Sequence, residues 1–294
     1  MRVAKVGLDE EAQDLNNQKE VSVDARVYAN GFPKSGTHLL EQMVQTMLYP
    51  VRFADVEGQR KGPWAGSFYD HSWTKHWAPT PAIYRRLGFL RDGHYMKGHM
   101  GYRQDIETFL WGLGCAVVFI YRDLRDVAVS LTHHIITRGG SHSHPEWYEV
   151  LGFDGALTAV IRGLHQYDGV VERWEEYAGW LDVEWVMSIR YEDVLANRRE
   201  VCGDVIRYIV GHNAQFRGYH ATIPEEEFER AVDAMVENSL DTEHSPTFRK
   251  GVAGGWREVF RPWHVDEFKK SDANGWLVKL GYEDDEDWQG GANE

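Results

Sequence analysis

Cysteine is almost missing from this chain: two residues, Cys115 and Cys202, among 294. That excludes a disulfide framework and predicts two small buried hydrophobes with no part in any chemistry. Long apolar runs are missing too. No stretch approaches the roughly 18 residues that a membrane span needs. The opening MRVAKVGLDEEAQDLNNQKE is polar and partly acidic, without the apolar centre of a secretory signal. These absences predict a cytoplasmic protein with no membrane span. Positive charge is the third deficit. Lys and Arg number 32 against 46 Asp and Glu, a formal charge of −14. The chain therefore lacks the broad cationic field that nucleic acids and other polyanions require. Any anion it binds must be held by a local device.

What is present suffices for a folded core, with 43% of residues hydrophobic and 13% aromatic. Strand and helix patterns alternate without a repeat or low-complexity linker. This predicts a single α/β domain, residues 23–282, with a largely parallel central sheet flanked by helices. Residues 1–22 read as a polar lead-in and 283-EDDEDWQGGANE-294 as a solvated acidic tail. A strand at 25-ARVYA-29 precedes the loop 30-NGFPKSGTHLL-40, after which Leu39, Leu40, Met43, Val44, Met47 and Leu48 mark an apolar helical face. The run 115-CAVVFIY-121 reads as a strand covered on both faces, and 126-DVAVSLTHHII-136 resumes helical spacing. A third strand, 183-VEWVMSIRY-191, leads into a helix near 195–210. The aromatic stretch 62-GPWAGSFYDHSWTKHWAP-79, punctuated by Gly and Pro, reads as a loop or lid. In open parallel sheets, ligands collect at the carboxyl ends of strands, where the following helices present their N-termini.

The first junction brings together Pro33, Lys34, Ser35, Gly36 and Thr37. Consecutive N–H groups, one cation and two hydroxyls at a helix N-terminus suit a phosphate or sulfate. Lys34 precedes Gly36, so the loop misses the G-x-x-x-x-G-K-[ST] spacing of a nucleoside-triphosphate site. Standing alone, it would read as a tight turn with Lys34 in solvent. The second junction, 120-IYRDLRDVAVS-130, sets Arg122 past a buried strand and Ser130 about two helical turns on. A guanidinium can fork onto a phosphate, and a hydroxyl adds one directional hydrogen bond. The competing expectation is that Arg122 pairs with Asp123 or Asp126 at the surface, a common and minor interaction. A third basic element, 248-FRKGVAGGWREVF-260, carries Arg249 and Lys250 ahead of Gly251, Gly254 and Gly255, where backbone can approach an anion closely.

With these three elements in order, 33-PKSGT-37, 121-YRDLRDVAVS-130 and 249-RKGVAG-254, the chain resembles the sulfotransferases that use 3′-phosphoadenosine 5′-phosphosulfate, PAPS. The resemblance spans roughly residues 25–260. It implies a P-loop-like sulfotransferase fold in which the PKSGT loop holds the 5′ phosphosulfate. Arg122 and Ser130 then bind the 3′ phosphate, and the RKG-x-x-G segment closes over it. Two shorter elements fit as well: 97-KGH-99, whose His is the family's catalytic base, and 191-YED-193, whose Tyr lies near the adenine. The chain departs from the family at Leu39, where a Trp usually packs on the adenine, leaving Tyr191 as a candidate replacement. It departs again at Gly255, where an Asp is usual.

Sulfuryl transfer runs between two roughly collinear oxygens, so the protein must position both partners and stabilise charge on the leaving group. No metal is needed for this, and PAPS with its product PAP is the co-substrate pair that the resemblance implies. Lys34 is the electrostatic candidate and His99 the general base, with His38 its rival beside the loop. The catalytic set is thus His99, Lys34 and Ser130. The donor-binding set is Lys34, Ser35, Gly36, Thr37, His38, Arg122, Ser130, Tyr191, Arg249, Lys250 and Gly251. The His142/His144 pair lacks further ligands and reads as a polar loop. Trp64, Trp73 and Trp77 serve either an acceptor pocket or satellite packing. The expected partner is a small organic acceptor, aromatic or cationic. The alternatives are an ATP-using P-loop kinase and a non-catalytic PAP sensor.

Overall fold

Strand β1 (Arg26–Gly31) is buried from Val27 onward because both its edges and both its faces are occupied. The computed structural model describes residues 25–48, 66–69, 80–138, 145–165, 167–218, 223–239 and 251–290. Among them, β1, β2 (Gly66–Tyr69), β3 (Tyr95–His99), β4 (Cys115–Tyr121) and β5 (Met187–Arg190) form one sheet in the order β2-β3-β1-β4-β5. All four pairings are parallel. From the central β1 the chain reaches β3 on one side and then β4 on the other. The carboxyl ends of these three strands therefore adjoin at a topological switch point, where α/β sheets bind ligands.

Alternation along the strands sorts side chains into two cores. Val27, Ala29, Ala116, Val118 and Ile120 face helices α1 (Thr37–Leu48), α9 (Arg198–Arg217) and α10 (Glu225–Asn238). Tyr28, Met96, Val117 and Phe119 face the opposite way. There they meet α3 (Gln104–Gly112), α4 (Leu124–Arg138) and α7 (Val170–Ala178). The remaining helices are α2 (Thr80–Leu87), α5 (Pro145–Val150), α6 (Gly152–Arg162), α8 (Tyr191–Ala196), α11 (Pro262–Ser271) and α12 (Trp276–Lys279). Each fully buried aliphatic or aromatic side chain contributes about 1.5–3 kcal/mol, so β4, buried from Cys115 to Ile120, is the main anchor of both layers. Cys115 and Cys202 are buried and free, as expected. No helix of the described residues is long and apolar enough to cross a membrane.

Three sequence expectations are corrected. The 62–79 stretch contains β2, a four-residue edge strand too short to leave an alternating pattern. The strand expected over 183–191 is confined to Met187–Arg190, and Tyr191 already opens α8. The segment from Glu283 is not simply a solvated tail. The Glu283 carboxylate pairs with the buried Arg125 guanidinium, and Trp288 is 7% exposed within the core. Arg125, 1% exposed, also forks onto Asp123 at 3.0 and 2.7 Å. Its Cζ lies 3.9 Å from the Trp256 ring centroid and 4.6 Å from the Trp288 ring centroid. Burial acts against the charge, while Asp123 and Glu283 reverse that and raise the Arg125 pKa.

A buried ion pair broken on one side leaves an uncompensated charge. Arg125→Ala should therefore destabilise the fold by about 3–5 kcal/mol in urea denaturation, with residues 282–290 becoming protease-sensitive.

Candidate functional site

The loop after β1 is shaped by its backbone before any side chain matters. Lys34 has φ 71° and Gly36 φ 97°, left-handed conformations that cost a non-glycine residue energy and cluster at functional sites. The turn is closed by Ser35 N–H donating to the Phe32 carbonyl at 3.1 Å and Phe32 N–H donating to the Ile120 carbonyl at 3.1 Å. Gly36 is fixed in a second way, because a Cβ there would lie 2.5 Å from Cδ2 of Tyr191. A Cβ on Gly31 would lie 2.7 Å from Ile120 Cγ2 and 2.9 Å from Thr37 Oγ1. The loop is thus clamped between β4 and the Tyr191 ring.

This clamp leaves hydrogen-bonding capacity unused. Ser35 Oγ and Thr37 Oγ1 are buried with no partner among the described residues, and the first-turn N–H groups of α1 have no intrahelical acceptor. Buried orphans are costly unless a ligand satisfies them. The Arg122 guanidinium lies 4.5 Å from the Tyr191 ring centroid, and its Nε is likewise buried without a partner among the described residues. Burial raises the Tyr191 pKa, with Arg122 opposing, so the phenol is neutral at physiological pH. The structure therefore brings Lys34, Ser35, Gly36, Thr37, Tyr191 and Arg122 into one continuous cluster, whose orphans suit a ligand carrying two anionic groups.

Arg122 does pair with Asp126, at 3.1 Å, but not at the surface: the two side chains are 13% and 3% exposed. The same guanidinium nitrogen donates to the Val252 carbonyl at 2.6 Å, which fastens the glycine-rich segment beside it. Gly251, at φ 61°, is the next residue back. Arg249 and Lys250 lie outside the described residues, as do Trp64, Trp73, Trp77, His142 and His144. Ser130 is half-buried in the second turn of α4, and among the described residues no hydrogen bond ties it to the cluster.

His99 ends β3. Its Nδ1 is 2.7 Å from the Gly31 carbonyl oxygen; that oxygen can only accept, so Nδ1 carries the proton and Nε2 is the basic nitrogen. Tyr177 O–H donates to the His99 carbonyl at 3.1 Å. Asn30 grips Met100 from both sides, donating to its carbonyl at 3.0 Å and accepting its N–H at 2.9 Å. Desolvation lowers the His99 pKa to about 4; the Gly31 hydrogen bond opposes this, and His38, Lys34 and Arg173 reinforce it. His99 is a neutral, oriented base. His38, the rival, is engaged through Nδ1 with Glu41 at 3.3 Å.

Sequence reasoning missed Glu41, which also accepts from Lys97 Nζ at 2.5 Å. Burial acts to raise the Glu41 pKa, but the hydrogen bonds from His38 and Lys97 outweigh it and lower the value. Only its place one turn past Thr37 hinted at this. Asp126 entered the sequence reading only as a surface partner of Arg122 and as the Asp of the YR-x-x-x-D-x-x-x-S pattern, with no role of its own. Among the described residues no group of three or more His, Cys, Asp or Glu is placed to hold a metal ion.

A sulfotransferase domain profile matches residues 24–271. Sulfotransferase 1 family member D1 of Mus musculus is 21% identical over 218 residues, covering 64% of this chain and 70% of that protein. A flavonol 4′-sulfotransferase of Flaveria chlorifolia is 26% identical over 200 residues, covering 60% of this chain and 57% of that protein. Among solved structures, mouse sulfotransferase SULT7A1 complexed with PAP superposes with a TM-score of 0.50 at 17% identity, covering 94% of this chain and 91% of that one. Retinol dehydratase in a complex with retinol and PAP does so at 0.50 and 18% identity, covering 84% and 80%. At these identities the structural likeness speaks to the fold.

The clamp is testable at its tightest point. Gly36→Ala combines a left-handed φ with a clash against Tyr191 and should cost about 1–3 kcal/mol, while Gly93→Ala, where φ is positive but space is open, should cost less. Denaturation midpoints of the two variants decide this.

Proposed function

The chain belongs to the sulfotransferase domain family, and we propose that it transfers a sulfuryl group from PAPS to a hydroxyl, or less favourably an amine, of a small organic acceptor. The observation that carries this reading is the set of buried orphan donors on Ser35, Thr37 and Arg122, joined through Gly36 and Tyr191 and adjoining a neutral His99. Lys34, Ser35, Gly36, Thr37 and the α1 N-terminus hold the phosphosulfate end. Arg122, with Ser130, Arg249, Lys250 and Gly251, holds the 3′ phosphate, and Tyr191 lies at the adenosine between them. Family membership and the missing Walker spacing set aside the ATP-kinase alternative.

Bound PAPS supplies an activated sulfuryl group on a phosphate leaving group. The acceptor oxygen forms a bond to sulfur as the sulfur–phosphate oxygen bond breaks, and the acceptor proton passes to Nε2 of His99. Lys34 offsets charge that develops on the departing phosphate oxygen. The Gly31 carbonyl keeps Nδ1 protonated, so Nε2 is always the receiving atom. The flavonol named for the plant relative supports a hydroxyl acceptor on an aromatic framework.

Purified protein should show PAP-dependent thermal stabilisation and PAPS-dependent sulfation within a panel of phenols, alcohols and amines; a folded protein indifferent to PAP would sink the proposal. His99→Ala should lower kcat by about 10²–10⁴-fold with PAP affinity nearly unchanged, whereas Lys34→Ala should weaken both. Because His99 is neutral above about pH 4, kcat/KM for PAPS, which reports the donor-free enzyme, should stay level from pH 7 to about 5 and fall below that. The unfolded chain takes up this proton near pH 6.5 and the folded chain only near 4. The His99 contribution to stability is thus complete above 6.5 and lost as the pH falls through that window.

A further inference from the structure

Asp126 sits in the first turn of α4, 3% exposed, and both of its oxygens are occupied across a long sequence gap. Oδ1 accepts the Trp256 N–H at 2.8 Å, and Oδ2 accepts the Gly254 N–H at 2.8 Å. Oδ2 also accepts from Arg122 at 3.1 Å. The ring closes through Val252, whose carbonyl takes a second hydrogen bond from the same Arg122 nitrogen at 2.6 Å. One carboxylate therefore fixes a corner of the guanidinium and the backbone of the glycine-rich segment together, while the Nε–H stays buried and unpartnered. Gly254, at φ 71°, supplies the bend that aims its N–H at Asp126. At position 255 a Cβ would lie 3.7 Å from Asp126 Oδ1. The glycine leaves the carboxylate to its two backbone donors without a like-charged neighbour.

We propose that Asp126 is a positioning residue for the sulfuryl donor. It holds the Arg122 guanidinium in its binding orientation and ties that orientation to the docked state of residues 251–256, so the phosphate site and the segment that follows Arg249 and Lys250 form as one unit. This rests on the reading of Arg122 as a ligand of the donor's 3′ phosphate. An arginine side chain loses much rotamer freedom when it engages a ligand. Here that freedom is already restricted by two hydrogen bonds on one nitrogen.

The sign of the effect separates positioning from a bystander charge. An anion next to Arg122 competes with phosphate, so if Asp126 were only a neighbouring charge, removing it would tighten PAP binding. A positioning role predicts the reverse. With an amide NH2 in place of Oδ2, the hydrogen bonds from Gly254 and Arg122 are lost while Oδ1 still accepts from Trp256, and Asp126→Asn should bind PAP roughly 10- to 30-fold more weakly by titration calorimetry. KM for PAPS should rise in parallel, with kcat at saturating PAPS and KM for the acceptor changed little. In an Arg122→Ala background the same substitution should have a clearly smaller effect, because the two side chains act on one contact. Equal or tighter PAP binding by Asp126→Asn, or full additivity with Arg122→Ala, would overturn the proposal. Failure of the wild-type protein to bind PAP would overturn the sulfotransferase reading of the site instead. Should Asp126→Asn not fold, amide exchange in the wild-type protein decides the matter. PAP should slow exchange at Gly254 and Trp256 together, and unchanged exchange at both would be contrary.

Discussion

The missing side chain at Gly36 is the constraint on which the site depends. The Tyr191 ring occupies the space a Cβ would need, and Arg122 lies against that ring. Three chain segments, the loop after β1, the end of β4 and the start of α8, are therefore stacked in contact, and none can move without displacing the next. Close packing of this kind transmits strain and permits few alternative arrangements. It also explains why the loop tolerates Lys34 at φ 71°: neighbours that fix the loop from two sides can hold a residue in a sparsely populated conformation.

An acidic protein that handles an anionic donor must solve an electrostatic problem, and the described residues show how. Several cations near the sheet's carboxyl edge have their own carboxylates: Arg122 has Asp126, Lys97 has Glu41, and Arg125 has Asp123 and Glu283. A field built from such neutralised pairs falls off within a few ångströms and attracts no polyanion from a distance. On the reading proposed above, recognition rests on contact: orphan hydroxyls, helix N–H groups and the unpartnered Nε–H of Arg122.

The parts of the fold legible in the sequence were those with strong local patterns. β4 matched its apolar run residue for residue, and α1 and α4 followed their periodic faces. β3 was not legible as a strand, because Lys97 and Gly98 interrupt the apolar alternation of YMKGH; the strand exists because β1 and β2 pair with it on either side. In the site, Lys34, Gly36 and Arg122 could be read because junction loops expose their chemistry as composition. Asp126 could not. Its partners Gly254 and Trp256 offer backbone N–H groups, which leave no mark in a sequence, and they lie 128 and 130 residues away. Glu41 was hidden likewise, since its pairing with Lys97 exists only once α1 lies over β3. The fate of Glu283 and Trp288 depended on Arg125 being buried, which its charge argued against.

A pKa of about 4 makes His99 a weak base as well as a neutral one, and weak bases are poor proton acceptors. The causes of that value suggest how the two demands can be met. After desolvation, the lowering comes from the charges of neighbouring groups, Lys34 and Arg173 among them. An anion bound at Lys34 acts on His99 in the opposite sense to Lys34 itself and raises its basicity. The Gly31 carbonyl, already bonded to Nδ1, stabilises the imidazolium once Nε2 has taken its proton. In the reaction proposed above, a donor-first sequence would thus gain the stronger base when it is needed, while the protein without donor keeps the imidazole unprotonated well above pH 4.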